Sequence, residues 1–281
     1  MIEVVAPGPL TTVQDGGRPG WARLGVPRSG AFDRAALRLA NRLVGNPEDT
    51  AAFEVTFGGL ELRFTRAATV AVTGASCPGL DWGTPVTVGA GRSVRLGLPA
   101  RGLRTYLAIR GGVDVAAQLG SRSTDTLSGL GPPPVRAGDL LGIGAAACGP
   151  VSGTAAAPAM PRPSLRVLVG PRDDWFDPEA LEVLTGSAWT VRGESDRIGI
   201  RLDGPNLRRS RSDELPSEPT LPGAIQVPTD ARPIVFGPDA PVTGGYPVLA
   251  VVVRADLDAA AQLRPGDTVR FSRATGAGRA T

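Results

Sequence analysis

Two polar stretches of this 281-residue chain hold the residue types that chemistry on a small polar molecule requires. The first, residues 12–33, reads TVQDGGRPGWARLGVPRSGAFD and contains six candidates: Gln14, Asp15, Arg18, Arg28, Ser29 and Asp33. Closely spaced glycines let backbone amides approach a ligand, and a guanidinium binds a carboxylate through two hydrogen bonds. Arg18 or Arg28 could therefore hold a carboxylate.

The second stretch, residues 223–246, reads GAIQVPTDARPIVFGPDAPVTGGY. Its polar candidates alternate with apolar residues typical of strands: Gln226, Thr229, Asp230, Asp239, Thr243 and Tyr246. The pair Gly244-Gly245 directly precedes Tyr246. The glycine pair could present backbone amides to a developing negative charge, and the Tyr246 hydroxyl could add a donor.

Both stretches also have a purely structural interpretation, and the residue types alone favour it. The first could form a strand, a hairpin and a helix cap, in which Asp15 and Asp33 hold turns. The second could be a hairpin in which the glycine pair turns the chain and Tyr246 packs on a barrel. The two interpretations stay open at this point.

Missing residue types exclude several classes of enzyme. The chain has no histidine, and its 30 basic residues are all arginine because no lysine occurs. Without an imidazole there is no Ser-His-Asp or Cys-His hydrolase and no zinc site built on histidine. Without a lysine there is no P-loop, no pyridoxal Schiff base, no Ser-Ser-Lys amidase and no attached biotin. We expect no metal and no covalently bound cofactor.

The charge and hydropathy patterns limit location and partners. The net charge is only +3, and the arginines are scattered, so we predict no nucleic-acid partner. The Arg208–Arg211 run is interpreted as a solvated loop. The longest apolar run, Val248–Val253, is too short to span a membrane, and the first residues lack the pattern of a signal peptide. We predict a cytoplasmic protein without a disulfide framework, since only two cysteines occur.

Short apolar runs bounded by glycine and proline predict a mainly β fold. The Ala- and Pro-rich segment 151–163 is the predicted linker between a subdomain at 1–150 and a second at 164–281. Each half ends in a similar turn, RAGD at 136–139 and RPGD at 264–267, that leads into an apolar strand.

Three helices are predicted in addition to the strands. The first is capped by Asp33 and runs to about Val44, where Gly45 ends it. The second opens at Asp177-Pro178 and ends at Gly186, and the third is capped by Asp256.

Six motifs, in order along nearly the whole chain, resemble the family of the 5-oxoprolinase C subunit, also labelled KipA or allophanate hydrolase subunit 2. They are TVQDGGRPGWARLGVPRSGAFD, LANRLVGNPEDTAAFEVTFGGLELRF, RTYLAIRGG with GSRSTD, SDRIGIRLDGP, GAIQVP, and TGGYPVLAVV with QLRPGD. The chain departs from the family at Ala231, where a glycine is expected, and at Pro241-Val242, within a usually polar stretch. These departures bear on the substrate more than on the fold.

The resemblance implies two β-rich subdomains, one of them a cyclophilin-like barrel, similar to subdomains A and B of the carboxyltransferase region of urea carboxylase. It implies a KipI-like B subunit (allophanate hydrolase subunit 1) and an A subunit as partners. The assembly would be an ATP-dependent 5-oxoprolinase that opens 5-oxoproline to glutamate, with this chain inactive alone. ATP would bind a partner, and any biotin would be carried by a partner.

The resemblance also carries individual residues over, each through its motif: Gln14, Asp15 and Arg18 (VQDxGR), Ser29 and Asp33 (SGxxD), Arg197 (DRxGxRL), Gln226 (IQVP), and Thr243, Gly244, Gly245 and Tyr246 (TGGYP). In the implied site, Arg18 or Arg197 would anchor the carboxylate of a small carboxylated or amide substrate. Asp15, Gln226, Thr243 and Tyr246 would be the catalytic residues: Asp15 would orient the reacting group, and the other three would donate hydrogen bonds to developing charge. Substrate-binding roles would also fall to the remaining residues, Gln14, Ser29, Asp33, Gly244 and Gly245.

Two other functions stay open. Members resembling KipA are thought to regulate a kinase inhibitor by binding it. The chain could also be the carboxyltransferase component of a urea carboxylase or allophanate hydrolase type of system. Neighbouring genes would discriminate: an A subunit favours the oxoprolinase, a sensor kinase favours regulation, and a biotin carrier with its carboxylase favours carboxyl transfer.

Overall fold

The structure, a computed structural model, describes residues 1–156 and 164–274. The described residues form two compact units. The first unit holds residues 1–18, 29–125 and 129–156, and the second holds 19–28, 126–128 and 164–274. Two short segments of the N-terminal half therefore belong to the second unit. Part of the predicted linker, residues 157–163, lies outside the described residues.

In the described part of the first unit, ten strands form two antiparallel sheets. In chain order they are β1 (Ile2–Pro7), β2 (Leu10–Gln14), β3 (Ala52–Thr56), β4 (Leu60–Phe64), β5 (Ala68–Gly74), β6 (Val86–Val88), β7 (Ser93–Arg95), β8 (Arg104–Ile109), β9 (Val113–Asp114) and β10 (Leu140–Ile143). The first sheet has the order β7-β4-β1-β10-β9, and the second has the order β2-β3-β8-β5-β6.

The core of the first unit lies between apolar residues of the two sheets. Ile2 and Val4 on β1 and Phe53 and Val55 on β3 belong to one buried cluster. Each pair is two residues apart, because alternate side chains of a strand point to the same face.

Helix α1 (Arg34–Leu43) covers the other face of the second sheet. It begins at its cap Asp33, as predicted, and ends just before Val44. Its buried residues share a cluster with three alanines of the sheet, Ala52, Ala71 and Ala108. Small side chains let a helix lie close to a sheet. Strand β8 runs between this helix and the core, and all six of its residues are buried.

The second unit contains a closed barrel, with strand order β11-β18-β15-β16-β13-β12-β19. Its strands in chain order are β11 (Ser164–Val169), β12 (Ala188–Val191), β13 (Gly199–Asp203), β14 (Glu218–Pro219), β15 (Ala224–Gln226), β16 (Ile234–Phe236), β17 (Thr243–Gly244), β18 (Val248–Val252) and β19 (Thr268–Arg273). β14 and β17 pair with each other outside the barrel, and β19 closes the barrel by pairing parallel with β11. The predicted mainly β fold with a barrel and a few short helices is confirmed.

The starts of the other two helices differ from the prediction. Helix α2 (Ala180–Gly186) begins after Glu179, and Asp177 and Pro178 form the preceding turn. The Asp177 N–H donates to the carbonyl of Arg208 (3.1 Å), which holds Asp177 outside the helix. Helix α3 (Leu257–Ala260) follows Asp256, whose side chain makes no cap. Instead, the Asp256 carboxylate accepts hydrogen bonds from Arg166 Nη2 (2.7 Å) and Nε (3.0 Å).

The two similar turns of the sequence have the same local geometry. In 136–139 and 264–267, an aspartate Oδ2 accepts the backbone N–H of the arginine three residues earlier, at 2.7 and 2.8 Å. Gly138 and Gly266 have φ of 91° and 87°, a region that favours glycine. Their N–H groups donate to the carbonyls of Val4 and Val191, both at 2.8 Å. One such turn leads into β10 and the other into β19.

Candidate functional site

Asp15 follows the end of β2, and its carboxylate is enclosed by hydrogen-bond donors. Oδ1 accepts from Gly17 N (2.7 Å), Ser121 Oγ (2.7 Å) and Ser123 Oγ (2.5 Å). Oδ2 accepts from Arg122 N (2.6 Å). The last three of these four bonds tie residues 121–123 to the end of β2, and the bond from Gly17 closes a local turn. The structural interpretation of Asp15 is thereby supported, and a direct chemical role stays a prediction.

Gln14 and Arg18 are buried beside the same segment. Gln14 Nε2 donates to the Thr124 carbonyl (2.9 Å), and Arg18 Nη2 donates to the Ser123 carbonyl (2.5 Å). Arg18 Nη1 lies 3.9 Å from a carboxylate oxygen of Asp125, and both side chains are fully enclosed. Gln14 Oε1, Arg18 Nε and Arg18 Nη1 make no hydrogen bond in the described structure. Buried polar atoms of this kind are usually satisfied by ordered water or a bound polar group.

Ser29 and Asp33 are both buried in the loop that leads to α1. Ser29 has a positive φ of 52°, and its Oγ donates to the Thr124 carbonyl (3.1 Å). Asp33 Oδ1 accepts the N–H of Ala36 (2.9 Å) as the cap of α1. Ser29, like Gln14, Asp15 and Arg18, therefore contacts residues 121–125. Asp33 instead caps the N-terminus of α1.

A buried network behind this loop was not foreseen. Tyr106 Oη donates to Glu54 Oε2 (2.6 Å) and accepts the Asp33 N–H (2.8 Å). Arg104 Nε lies 3.5 Å from Glu54 Oε1. Burial and the adjacent negative charge of Glu54 raise the pKa of Tyr106 well above its usual value. Glu54 inside the apolar run of β3 was the available signal, because a charged residue there requires partners.

In the second unit, the predicted residues Gln226 and 243–246 lie together. Gln226 Nε2 donates to the carbonyl of Tyr246 (3.0 Å). A Cβ at Gly244 would lie 2.6 Å from Gln226 Nε2, so this position has little room for a side chain. Thr243 and Gly244 pair with Pro219 and Glu218. Thr243, Gly245 and Tyr246 are exposed, whereas Gln226 is buried. The buried Gln226 side chain therefore holds a segment that solvent can reach.

Glu218, on β14, is paired with the guanidinium of Arg172. Arg172 Nε donates to both of its carboxylate oxygens, at 2.8 and 2.9 Å, and Arg172 Nη2 adds a further contact. The hydrogen bonds from Arg172 lower the pKa of Glu218. Glu218 is therefore ionised at neutral pH and pairs with a cation of its own unit.

Arg209 departs from the prediction that the whole 208–211 run is solvated. Arg208 and Arg211 are exposed, in line with a solvated loop, but Arg209 is half-buried. Its Nη2 donates to the Val227 carbonyl (2.6 Å), and its guanidinium carbon lies 5.4 Å from the centre of the Tyr246 ring. Burial lowers the pKa of Arg209. A run of arginines contains no signal for which member turns inward.

Arg197, a predicted anchor, is buried in an ion pair with Asp239. Its Nε and Nη2 bind the two carboxylate oxygens of Asp239, both at 2.9 Å. Asp239 Oδ2 also accepts from Thr126 Oγ1 (2.8 Å) and Thr126 N (3.0 Å). A substrate carboxylate would have to displace Asp239 to reach this guanidinium.

Comparison with known proteins adds to this geometry. Residues 24–273 match the family described as carboxyltransferase domain, subdomain A and B. The chain belongs to this carboxyltransferase-domain family. The resemblance carried by the six motifs is therefore confirmed.

Relatives within the carboxyltransferase-domain family are of two kinds. The 5-oxoprolinase C subunit of Escherichia coli (strain K12) is 38% identical over 96% of this chain and 90% of its own length. The urea amidolyase of Lachancea kluyveri is 36% identical over 96% of this chain and 17% of its own length. The crystal structure of the K. lactis urea amidolyase matches with a TM-score of 0.89 and 34% identity, over 96% of this chain and 18% of that one. The chain spans under a fifth of either urea amidolyase.

The carboxyltransferase-domain chain also has an open cleft of about 470 Å³ in its first unit. It is lined by the backbone of several glycines and by Asp15, Asp49, Asp114 and Arg122. Asp15 is the single predicted residue on this lining. Asp49 lies 3.4 Å from Arg38, and Asp114 lies 3.9 Å from Arg122, so two of its carboxylates already have cations beside them.

No group of three or more His, Cys, Asp or Glu residues in the described part of the chain is arranged to hold a metal ion. None of the helices in this part of the chain combines the length and apolar character needed to cross a bilayer.

Proposed function

We propose that this chain is the C subunit of a 5-oxoprolinase, a hydrolase complex that uses ATP to open 5-oxoproline to glutamate. The observation that carries the proposal is the match to the E. coli protein of that name over 90% of its length. The same chain matches only 17% of the urea amidolyase of Lachancea kluyveri. The partners in the proposal are a KipI-like B subunit and an A subunit.

The residues of the chain suit a binding and orienting role within such a complex. With no imidazole and no lysine amine, the chain must act on a cyclic amide through hydrogen bonds, carboxylates and guanidinium groups. In this proposal Tyr246, Thr243 and the 244–245 amides donate to the amide oxygen as charge develops on it, and Gln226 holds that segment in place. Asp15 contributes by fixing residues 121–123. ATP binds a partner subunit, and the chain alone is inactive.

A carboxyltransferase role in a urea carboxylase type of system is the second candidate. The TM-score of 0.89 with the K. lactis urea amidolyase favours it. Such a system uses biotin, which is attached to a lysine amine, and this chain has no lysine. The biotin would therefore be carried by another chain, and the residues named above would bind the carboxyl acceptor.

Reconstitution tests the first proposal. The chain is co-expressed with the adjacent KipI-like and A-subunit genes, and the purified assembly is assayed for ATP-dependent release of glutamate from 5-oxoproline. We expect activity that disappears when this chain is omitted. A stable assembly that releases no glutamate would overturn the proposal. Carboxylation of urea in the presence of a biotin carrier would then support the second candidate, and inactivity in both assays would favour the regulatory role.

A further inference from the structure

Arg209 is a half-buried cation that lacks an anion in direct contact. Among the described residues, no carboxylate lies within ion-pairing distance of its guanidinium, and Asp230 acts on it only from farther away. Its Nη2 uses one carbonyl, that of Val227, and its Nε is enclosed without a partner. Nη1 also makes no hydrogen bond in the described structure but, unlike Nε, is not fully enclosed. Burying a charge without a counter-charge is unfavourable, so this position suits the binding of an anion.

The other candidate anchors are already compensated. Both carboxylate oxygens of Asp239 face Arg197, whose side chain is 1% exposed. Arg18 faces Asp125, and its side chain is 0% exposed. A ligand that bound Arg197 would have to displace the buried Asp239 carboxylate and leave it unpaired. A ligand that bound Arg18 would have to reach a fully enclosed guanidinium whose charge already faces Asp125. Arg209 needs no such displacement.

The surroundings of Arg209 fit a small molecule that carries a carboxylate. The Tyr246 ring packs against the guanidinium through a cation–π contact and is 42% exposed. This contact and the bond to Val227 fix the orientation of the guanidinium. The same Tyr246 is held by Gln226 through its carbonyl and directly follows Gly245. A carboxylate at Nη1 would therefore sit beside the segment proposed to act on the amide.

We propose that Arg209, packed on Tyr246, binds the carboxylate of the substrate and thereby selects carboxylated over uncarboxylated cyclic amides. This subsite rests on the function proposed above, since it supplies the anchor for the same substrate. It replaces Arg18 and Arg197 in that role.

Steady-state kinetics of the assembled complex test the proposal with 5-oxoproline and with 2-pyrrolidinone, the same lactam without the carboxylate. For Arg209→Gln, we expect KM for 5-oxoproline to rise on the order of 10- to 100-fold with a smaller change in kcat, because a charge-assisted hydrogen bond is lost. The preference for 5-oxoproline over 2-pyrrolidinone should fall by a similar factor. Arg208→Gln is the matched control, because it removes the same charge from an exposed neighbour, and it should leave both values unchanged.

Arg209→Lys guards against a folding effect, because it keeps the charge but not the planar stacking group. It should retain part of the preference, with a melting temperature close to that of the original chain. An active complex in which Arg209→Gln keeps its KM and its preference would overturn the subsite while the proposed function stands. Loss of assembly in Arg209→Gln, with unchanged KM in the complex that remains, would also overturn it and point to a carboxylate of a partner protein.

A complex that does not turn over 5-oxoproline would overturn the proposed function, and the subsite is then tested by binding alone. The chain and the complex are titrated calorimetrically with 5-oxoproline, glutamate and acetate. Binding that is lost in Arg209→Gln and kept in Arg208→Gln would support a carboxylate subsite for another substrate. No binding of any of these carboxylates would overturn the subsite as well.

Discussion

At the scale of single residues, the carboxylate of Asp15 accepts four hydrogen bonds inside the first unit. We expect Asp15→Asn to lower the free energy of unfolding of the isolated chain by about 2–4 kcal/mol, because an amide nitrogen would face donors that now meet an oxygen. Urea unfolding measures this loss.

The matched control for Asp15 is Asp114→Asn. The Asp114 side chain is 60% exposed and lies 3.9 Å from Arg122, so we expect a change of at most about 1 kcal/mol. An Asp15→Asn chain that unfolds at the same urea concentration as the original would contradict the structural role. The carboxylate would then be available for chemistry.

The sequence could indicate which residues of the first stretch lie close together, but not which segment of the chain they contact. Gln14, Asp15 and Arg18 are close along the chain, so their proximity follows from the motif itself. Their partners in 121–125 lie more than a hundred positions away, for example 108 for Ser123. No local pattern encodes that contact. The burial of Arg209 beside Tyr246 depends in the same way on long-range packing.

At the scale of elements, the turns at 136–139 and 264–267 offer a test of backbone strain. Gly138 and Gly266 have positive φ, and a Cβ at either would meet nothing within 4 Å. Gly→Ala at each should therefore lower the free energy of unfolding through the backbone alone, by about 1–2 kcal/mol. Urea unfolding of the two variants should give similar losses.

Gly193→Ala serves as the control for both turns. A Cβ there also meets nothing within 4 Å, but its φ lies outside the positive region. We expect no loss of stability at this position. If Gly138→Ala and Gly266→Ala were as stable as Gly193→Ala, the prediction would be contradicted. A side chain would then cause no backbone strain in either turn.

The ion pair between β11 and the start of α3 predicts a pH dependence. The pKa of Asp256 is lowered, chiefly by hydrogen bonds from the Arg166 side chain. A carboxyl group with a lowered folded-state pKa stabilises the fold above its unfolded-state pKa, about 3.9, and loses that effect as pH falls through the folded value. Asp256→Asn should therefore be less stable than the original chain by about 1 kcal/mol at pH 7.

The difference between Asp256→Asn and the original chain should shrink toward zero below about pH 4. Urea unfolding at a series of pH values from 7 to about 3 follows it, with the exposed Asp81→Asn as control. A difference that stays constant over this range would mean that the ionisation of Asp256 is not its origin.

At the scale of the whole molecule, β19 is the strand that closes the barrel. It pairs with β11 and β12, and its Val269 and Phe271 are buried. A chain that ends after Asp267 loses these side chains, each worth about 1.5–3 kcal/mol, and leaves two strands with open edges. We expect it to lose the cooperative unfolding of the second unit. A chain that ends after Ala274 keeps every described strand and should melt like the original in circular dichroism.

An unchanged melting curve for the chain that ends after Asp267 would contradict the closing role of β19. Such a chain should also be cut far faster than the original in limited proteolysis, since open strands expose their backbone.

The positions of strands could be predicted from the sequence, whereas their pairing could not. Runs such as 61–64 and 248–253 coincide with β4 and β18, because alternation and turn residues are local signals. Yet β1 and β2, neighbours in the chain, belong to different sheets. The left-handed Gly8 between them has no room for a Cβ, which would lie 2.2 Å from the carbonyl of Gly58. The assignment of β1 and β2 to different sheets therefore depends on packing between residues that are distant in sequence.

The parallel pairing of β11 with β19 also governs how the second unit can be joined to other domains. Ser164 aligns with Arg270, and Val167 aligns with Arg273, so the first strand begins at one end of the barrel and the last strand finishes toward the other. Inserting the barrel into a hairpin of a host protein would need a linker of about 20 Å, the length of a six-residue strand. A circular permutation that joins the two ends of the barrel would need the same linker. Placing the barrel between two other domains in one long chain needs no such linker. In the K. lactis urea amidolyase, the region that matches 96% of this chain, both units included, makes up 18% of a longer chain.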